Sequence, residues 1–351
     1  MIDRGNLSIA SRTLVTLAAF VVVVAGMRAA EPILTPFLLS LFVAVVAAPP
    51  MFWLQQRGMP TTLAMLIVLF LLVAVGSILV LLVGNSANDL ISQLPLYQEK
   101  LKGYLDGVLA FLERLGLSVS RELILQYMNP GKVLGIFAST LSGLGGALTN
   151  AVLILFTVVF LLIEANGFGA KLHGALKEPD KSYPRFQRFA DDLRRYLVIK
   201  AWVSAVTAVM ILIPLLLIGL AYPWLWAALM FLLNYIPNIG PIIAAIPAVL
   251  LALVQLGPGH AVAVAFTYLL VNMLMGNIVE PRFMGKGVGL STLVVFLSLV
   301  FWGWVLGPVG MLLSVPLTMA AKIALESSDD SRWLAVLLGS YEAESEKRER
   351  P

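Results

Sequence analysis

Long uncharged apolar runs recur along this chain, and they decide its solvent. A run of about 18 residues or more can cross a hydrocarbon core of about 30 Å. Inside such a core the backbone has to satisfy its own hydrogen bonds, which favours helices. Composition agrees, with 60% hydrophobic and 13% charged residues against roughly half apolar and a quarter charged in soluble domains. The expected fold is therefore an all-α polytopic membrane protein. With no cysteine, disulfides and thiolate sites are excluded, and compartment cannot be read from cysteine usage. The net charge of +4 comes from residues flanking the apolar runs rather than from one solvated patch, so nucleic acid is not an expected partner.

Eight hydrophobic segments can be marked. Six read as ordinary spans, at about 13–30, 33–54, 61–84, 147–165, 201–221 and 260–280. Two more, about 223–256 and 291–325, are long and broken. Arg4 and Arg12 precede the apolar stretch from Leu14 to Met27 as in a secretory signal, but Arg28 spoils the small-residue cleavage pattern. An uncleaved first span is expected. Between the third and fourth spans, Leu94, Tyr97, Leu101, Tyr104, Leu105, Val108 and Leu112 recur at three-to-four spacing, which predicts an amphipathic helix. It would lie on the membrane surface, pack on another protomer, or cover its own bundle. Lys171, Lys177, Lys181, Arg185, Arg188, Arg194, Arg195 and Lys200 make 166–200 a basic loop. Such loops stay in the cytoplasm, which puts the N-terminus inside and 85–146 outside. The run "RRYLVIK" also suits a lipid headgroup, although topology signalling accounts for it. The expected organisation is three spans in 1–84, an amphipathic extracytoplasmic segment in 85–146, and a fourth span with its cytoplasmic loop in 147–200. A transport core over 201–325 and a charged cytoplasmic tail over 326–351 follow.

The broken segments carry the functional signal. "NYIPNIGPIIAAIPAVLLAL" places Pro237, Asn238, Gly240, Pro241 and Pro247 inside an apolar run. As one helix, Pro223 to Leu256 would extend about 51 Å, more than the core thickness. Each proline lacks an N–H and clashes with the preceding turn, and Gly240 supplies conformational freedom for a reversal. Two half-helices joined at "PNIGP" in a re-entrant hairpin fit these residues, with one kinked, overlong span as the alternative. "LVFWGWVLGPVGMLLSVPLTMAAK" repeats the device with Gly303, Gly307, Pro308, Gly310 and Pro316. The spacing from Pro241 to Pro247 equals that from Gly310 to Pro316. An ordinary span precedes each segment, so 201–256 and 260–325 read as inverted repeats, the plan in which carriers hold cargo between broken helices. Under it Arg282 and Lys286 face the cytoplasm.

"YIPNIGPIIAAIPAVLLAL" followed by "NIVEPRFMGKGVGLSTLVVFLSLVFWGWVLGPVGMLLSVPL" resembles the signature half of the autoinducer-2 exporter family, bacterial inner-membrane proteins with eight hydrophobic segments. "EPILTPFLLSLFVAVVAAPPMFWLQQRGMP" also resembles that family's second span and the loop after it. The resemblance covers about 10–325 and is strongest over 230–320. It implies a secondary transporter of the inner membrane. Some members are linked to export of a furanone-derived quorum signal, others to sodium–proton antiport. It also implies a homo-oligomer, with a pentamer suggested.

Polar groups within a bilayer are costly, so those beside the breaks are the candidate site. These are Asn234 and Asn238, with Gly240 and Pro241 at the first tip, Asn272 and Asn277 in the span before the second break, and Gly307 and Gly310 at the second tip. Interhelical hydrogen bonding is the structural alternative for each Asn. Ser291, Thr292, Ser298 and Ser314 add hydroxyls. Glu280 is the candidate coupling group, with pairing to Arg282 or Lys286 as its structural alternative. Glu164 reads as interfacial, and Trp224, Trp226, Trp302 and Trp304 as anchors or core. Expected partners are a small polar solute or a cation, and membrane lipid. No catalytic constellation, metal site or cofactor site is visible. His173 and His260 lie apart, and "GKGVG" at 285–289 follows no strand.

Overall fold

The computed structural model describes residues 9–114, 150–175, 179–284, 289–326 and 331–339. Lys286, residues 115–146 and the end of the tail from 340 onward lie outside them. Among the described residues the fold is helical, apart from turns and a single bridge between Leu290 and Gly339. In chain order the helices are α1 (Ile9–Ala29), α2 (Glu31–Gln56), α3 (Thr61–Ser92), α4 (Leu94–Arg114) and α5 (Ala151–Ala175). Next come α6 (Pro179–Ile218), α7 (Pro223–Leu233), α8 (Gly240–Leu256) and α9 (Pro258–Leu274). A π-turn (Met275–Val279), α10 (Glu280–Met284), α11 (Thr292–Leu312), α12 (Ser314–Glu326) and α13 (Arg332–Leu338) complete the chain.

By length and composition, five helical stretches could cross a membrane: Glu31–Gln56, Thr61–Leu82, Phe186–Ile218, Pro258–Phe283 and Thr292–Leu312, the last broken by non-helical backbone at Gly307. Ala151–Ala165 with Gly167–Gly174 makes a sixth if their 62° bend is taken within one span. The first expected span is present as a shorter apolar helix, Leu14–Ala29. The basic segment 166–200 is mostly helix rather than loop. α5 runs to Ala175 and α6 already starts at Pro179, with Pro184 and Pro214 inside it, each removing one intrahelical hydrogen bond.

The helices form two compact units. One comprises Val45–Val152 and Leu162–Val288. Its chain reversals are written in glycine and proline. α6 stops at Gly219, with φ +78°, and the Leu220 N–H closes back on the Leu215 carbonyl at 3.1 Å, a left-handed C-terminal cap. Proline in the first turn starts α7, α8 and α9, where its fixed φ is already helical. α7 and α8 double back on each other. Gln255, near the end of α8, accepts the Ala221 N–H at 2.9 Å and donates to the Gly219 carbonyl at 3.4 Å. The 223–256 segment is thus a helical hairpin and not one kinked helix. Its core is Leu215, Leu225, Trp226, Leu229 and Met230, packed with Ala244, Ala248 and Ala252. Those alanines recur every fourth residue and let helices approach closely. Trp226 is fully buried and donates its indole N–H to the Ala221 carbonyl at 2.8 Å, so it fills core, as expected. α4 forms where the amphipathic pattern predicts it, and its Tyr97 is buried in the same core.

The other unit comprises Met1–Ala44, Leu153–Leu161 and Gly289–Pro351. Val24, Val305 and Leu306 form its centre, with Leu34, Leu38 and Phe301 against them. Arg28 covers the Trp304 ring at 4.4 Å, a cation–π contact. Part of the expected tail is folded, because α13 returns to the start of α11, where the Ser291 N–H meets the Leu338 carbonyl at 3.2 Å.

Candidate functional site

In the first hairpin, α7 ends at Leu233 because Pro237 cannot continue the hydrogen-bond ladder. The chain turns through Asn238, whose φ of +61° is left-handed, a conformation asparagine adopts far more readily than most side chains. Gly240 then opens α8. A Cβ there would lie 1.8 Å from the Leu233 carbonyl oxygen and 2.7 Å from its carbon. The tip closes by backbone-on-backbone contact that only glycine permits. Pro241 is buried beside it, and Asn238 is exposed at the apex.

The second break, in the other unit, uses the same device. α11 is interrupted at Gly307, with φ +62° and ψ −152°. A Cβ on Gly310 would lie 2.0 Å from the Trp302 carbonyl oxygen. Farther from the tip, the Trp302 indole N–H donates to the Thr318 hydroxyl at 3.0 Å, and Lys322 Nζ donates to the Gly289 carbonyl at 2.6 Å. This segment also doubles back. The proline spacing pairs Pro241 with Gly310, whereas the carbonyl contacts pair Gly240 with Gly310. The structural register is therefore one residue away from the one suggested by sequence.

Polar groups concentrate on one face of α6. Tyr196, Lys200, Ser204 and Thr207 follow at helical spacing, and all four are buried. Asn234, buried where α7 gives way to the turn, donates Nδ2–H to Ser204 Oγ at 3.0 Å. One turn earlier on α6, Lys200 Nζ donates to Glu280 Oε1 at 2.6 Å. The Lys200 side chain is 6% exposed and that of Glu280 20%. Tyr196 is within electrostatic range of both Glu280 and Tyr235. The carboxylate thus pairs with Lys200 and not with Arg282, which is exposed two residues further on. A buried pair of this kind is weak evidence for net stability, but removing one partner costs about 3–5 kcal/mol because the other charge is left uncompensated.

α6 brings Asn234 and Glu280 onto one polar stripe. The other expected residues stand elsewhere. Asn272 is half-buried near the end of α9, and Asn277 is exposed within the π-turn. Asn238 also makes no side-chain hydrogen bond among the described residues. Lys200, Ser204, Tyr196 and Tyr235 are additions. The signal for three of them was in "YLVIKAWVSAVT", whose polar residues recur at helical spacing among apolar ones. Taking Lys200 as the end of a loop hid it.

The base of the first hairpin is also fastened by polar side chains. The Tyr97 hydroxyl donates to Gln93 Oε1 at 2.7 Å, and Gln93 Nε2 donates to the Tyr222 hydroxyl at 2.9 Å. Burial first, and then their mutual repulsion, raises the Tyr97 phenol above its usual range. For Tyr222 the causes are burial and then Asp89. Tyr222 has a φ of +57°, an unfavourable conformation for a residue preceding proline.

Residues 17–329 match the AI-2E family transporter profile. The chain is 38% identical over 333 residues to the AI-2 transport protein TqsA of Escherichia coli strain K12, covering 95% of this chain and 97% of that protein. It is 40% identical over 345 residues to a putative transport protein of Haemophilus influenzae, covering 97% and 99% of the two chains. It is also 40% identical over 326 residues to the putative transport protein YhhT of Escherichia coli strain K12, covering 93% of each. A profile spanning most of the chain and relatives this similar along nearly their full length make it a multi-pass membrane protein of the AI-2E transporter family.

Proposed function

We propose that this transporter is a secondary carrier of the bacterial inner membrane, with both termini cytoplasmic, that moves a small polar solute by alternating access. The observation carrying this reading is the pair of glycine-closed helical hairpins, at Asn238–Gly240 and Gly307–Gly310. Non-helical backbone at membrane depth survives only when buried in protein or lining a wet cavity. In carriers built on inverted repeats, broken helices line the cargo site. Both hairpins are re-entrant in this reading. Asn234, Asn238, Asn272 and Asn277 offer amides to cargo, Gly240, Pro241, Gly307 and Gly310 shape the tips, and Glu280 couples transport to an ion. The name of the Escherichia coli relative TqsA supports an autoinducer-2-type signal as the cargo and export as the direction. Assembly as a homo-oligomer belongs to the same proposal.

Sodium–proton antiport is a second reading, favoured by the buried Lys200–Glu280 pair. An intramembrane carboxylate is a natural ion-coupling group. Proteoliposomes decide between the two. Saturable counterflow of autoinducer-2 supports the signal carrier. Sodium-dependent proton movement without counterflow supports antiport. Non-saturating flux of either solute would point to a channel and reject the carrier.

A further inference from the structure

The Lys200–Glu280 pair has three features that a purely structural ion pair does not require. An ammonium has three N–H donors, and Lys200, almost fully buried, uses one of them on Glu280 and makes no other hydrogen bond among the described residues. Glu280 is a fifth exposed, so one side of the carboxylate is open while the ammonium holds it from the other. Finally, Glu280 directly follows the π-turn, and its own N–H closes that turn on the Met275 carbonyl. A π-turn holds one residue more than an α-turn and recurs at functional sites. Re-registering it to α would swing the next residue by roughly 100° about the helix axis.

We propose that Glu280 binds the driving proton, with Lys200 as its resident counter-ion, and that loss of the pair releases the π-turn. This rests on the carrier reading above. The step is simple: a proton from water adds to the Glu280 carboxylate, Lys200 keeps its own proton, and the ionic hydrogen bond between them is lost. Among the described residues, the titratable groups facing Glu280 are Lys200 and Tyr196 from α6, with Tyr235 of the hairpin turn beyond Tyr196. Arg282 follows in the same helix and is exposed. With the carboxylate neutral, Glu280 no longer holds the π-turn against α6, and the buried ammonium is left seeking a new acceptor.

The test uses the full chain in lipid nanodiscs. Since the chain has no cysteine, Ile278→Cys, exposed in the π-turn, reports its conformation through its rate of thiol labelling. The rate is taken relative to Thr61→Cys, an exposed control in α3. As the pH is lowered stepwise from neutral, the relative rate should change several-fold. Over the same range a protonated-carboxyl infrared band should appear that Glu280→Gln abolishes. In the neutral pair Lys200→Met with Glu280→Gln, which leaves no buried charge uncompensated, the relative rate should be flat with pH. An unaltered pH response in the neutral pair, or no infrared band lost in Glu280→Gln, overturns the proposal. Autoinducer-2 counterflow in proteoliposomes of the same variants separates the two readings. Glu280 protonation without saturable flux removes the carrier and keeps the proton site, and flux with the same pH dependence in the neutral pair does the reverse.

Discussion

Replacing Gly240 by alanine adds one methyl group where the structure has no room for it. The new Cβ would sit 1.8 Å from the Leu233 carbonyl oxygen and 3.2 Å from the Ile236 Cβ. Two effects oppose each other. Alanine gains about 0.5–1 kcal/mol over glycine within a helix. Overpacking costs about 1–3 kcal/mol even where side chains can yield, and here the obstacle is backbone. The clash wins, with a net loss of about 2 kcal/mol or more, borne by the hairpin tip. Gly276→Ala is the control, since its Cβ would meet only Asn272 Oδ1 at 3.7 Å, ordinary contact. Thermal unfolding in detergent together with counterflow measures both. Gly240→Ala should unfold at lower temperature and lose flux, while Gly276→Ala assembles with a stability near that of the parent chain. Parent-like stability and flux in Gly240→Ala would refute the reasoning about backbone contact.

Four further outcomes are expected. Gly310→Ala should behave as Gly240→Ala does, because its Cβ would meet the Trp302 carbonyl oxygen at 2.0 Å; thermal unfolding measures it. Asn234→Leu should cost about 1–3 kcal/mol, since it leaves buried Ser204 without its partner, and a compensating Ser204→Ala should recover part of that in a double-mutant cycle. Gln93→Ala should loosen the hairpin base by about 1 kcal/mol through loss of the Tyr97 and Tyr222 bonds, seen as faster amide exchange in α7. Arg282→Cys should be labelled in intact cells only by a membrane-permeant reagent, and labelling by an impermeant one would remove the double-hairpin topology.

The parts of the fold legible in the sequence were those written in hydropathy and in backbone chemistry. Uncharged runs gave the helices, and Pro237, Gly240, Gly307 and Pro308 marked where helices break, because these residues alter the backbone itself whatever surrounds them. The position of the amphipathic helix α4 followed from its periodicity. Lys200 was missed for a physical reason. Positive charge is ordinarily a sign of solvent, and only the packing of α6 against the π-turn reveals that this lysine is buried with a carboxylate. The π-turn was equally invisible, since nothing in "MGNIV" separates an inserted residue from a regular helix. The proline spacing suggested a repeat but gave a register one residue off, because the feature actually shared is a glycine lying on a carbonyl, a contact between residues distant along the chain.

Alternating access is most directly tested at the apex of the first hairpin. Asn238→Cys is the one thiol in an otherwise cysteine-free chain and sits exposed on the left-handed turn. Oriented membrane vesicles, right-side-out and inside-out, are treated with an impermeant thiol reagent with and without autoinducer-2. Labelling is expected from both faces, with the ratio between them shifting when cargo or a pH gradient is supplied. Labelling from one face under every condition would contradict it.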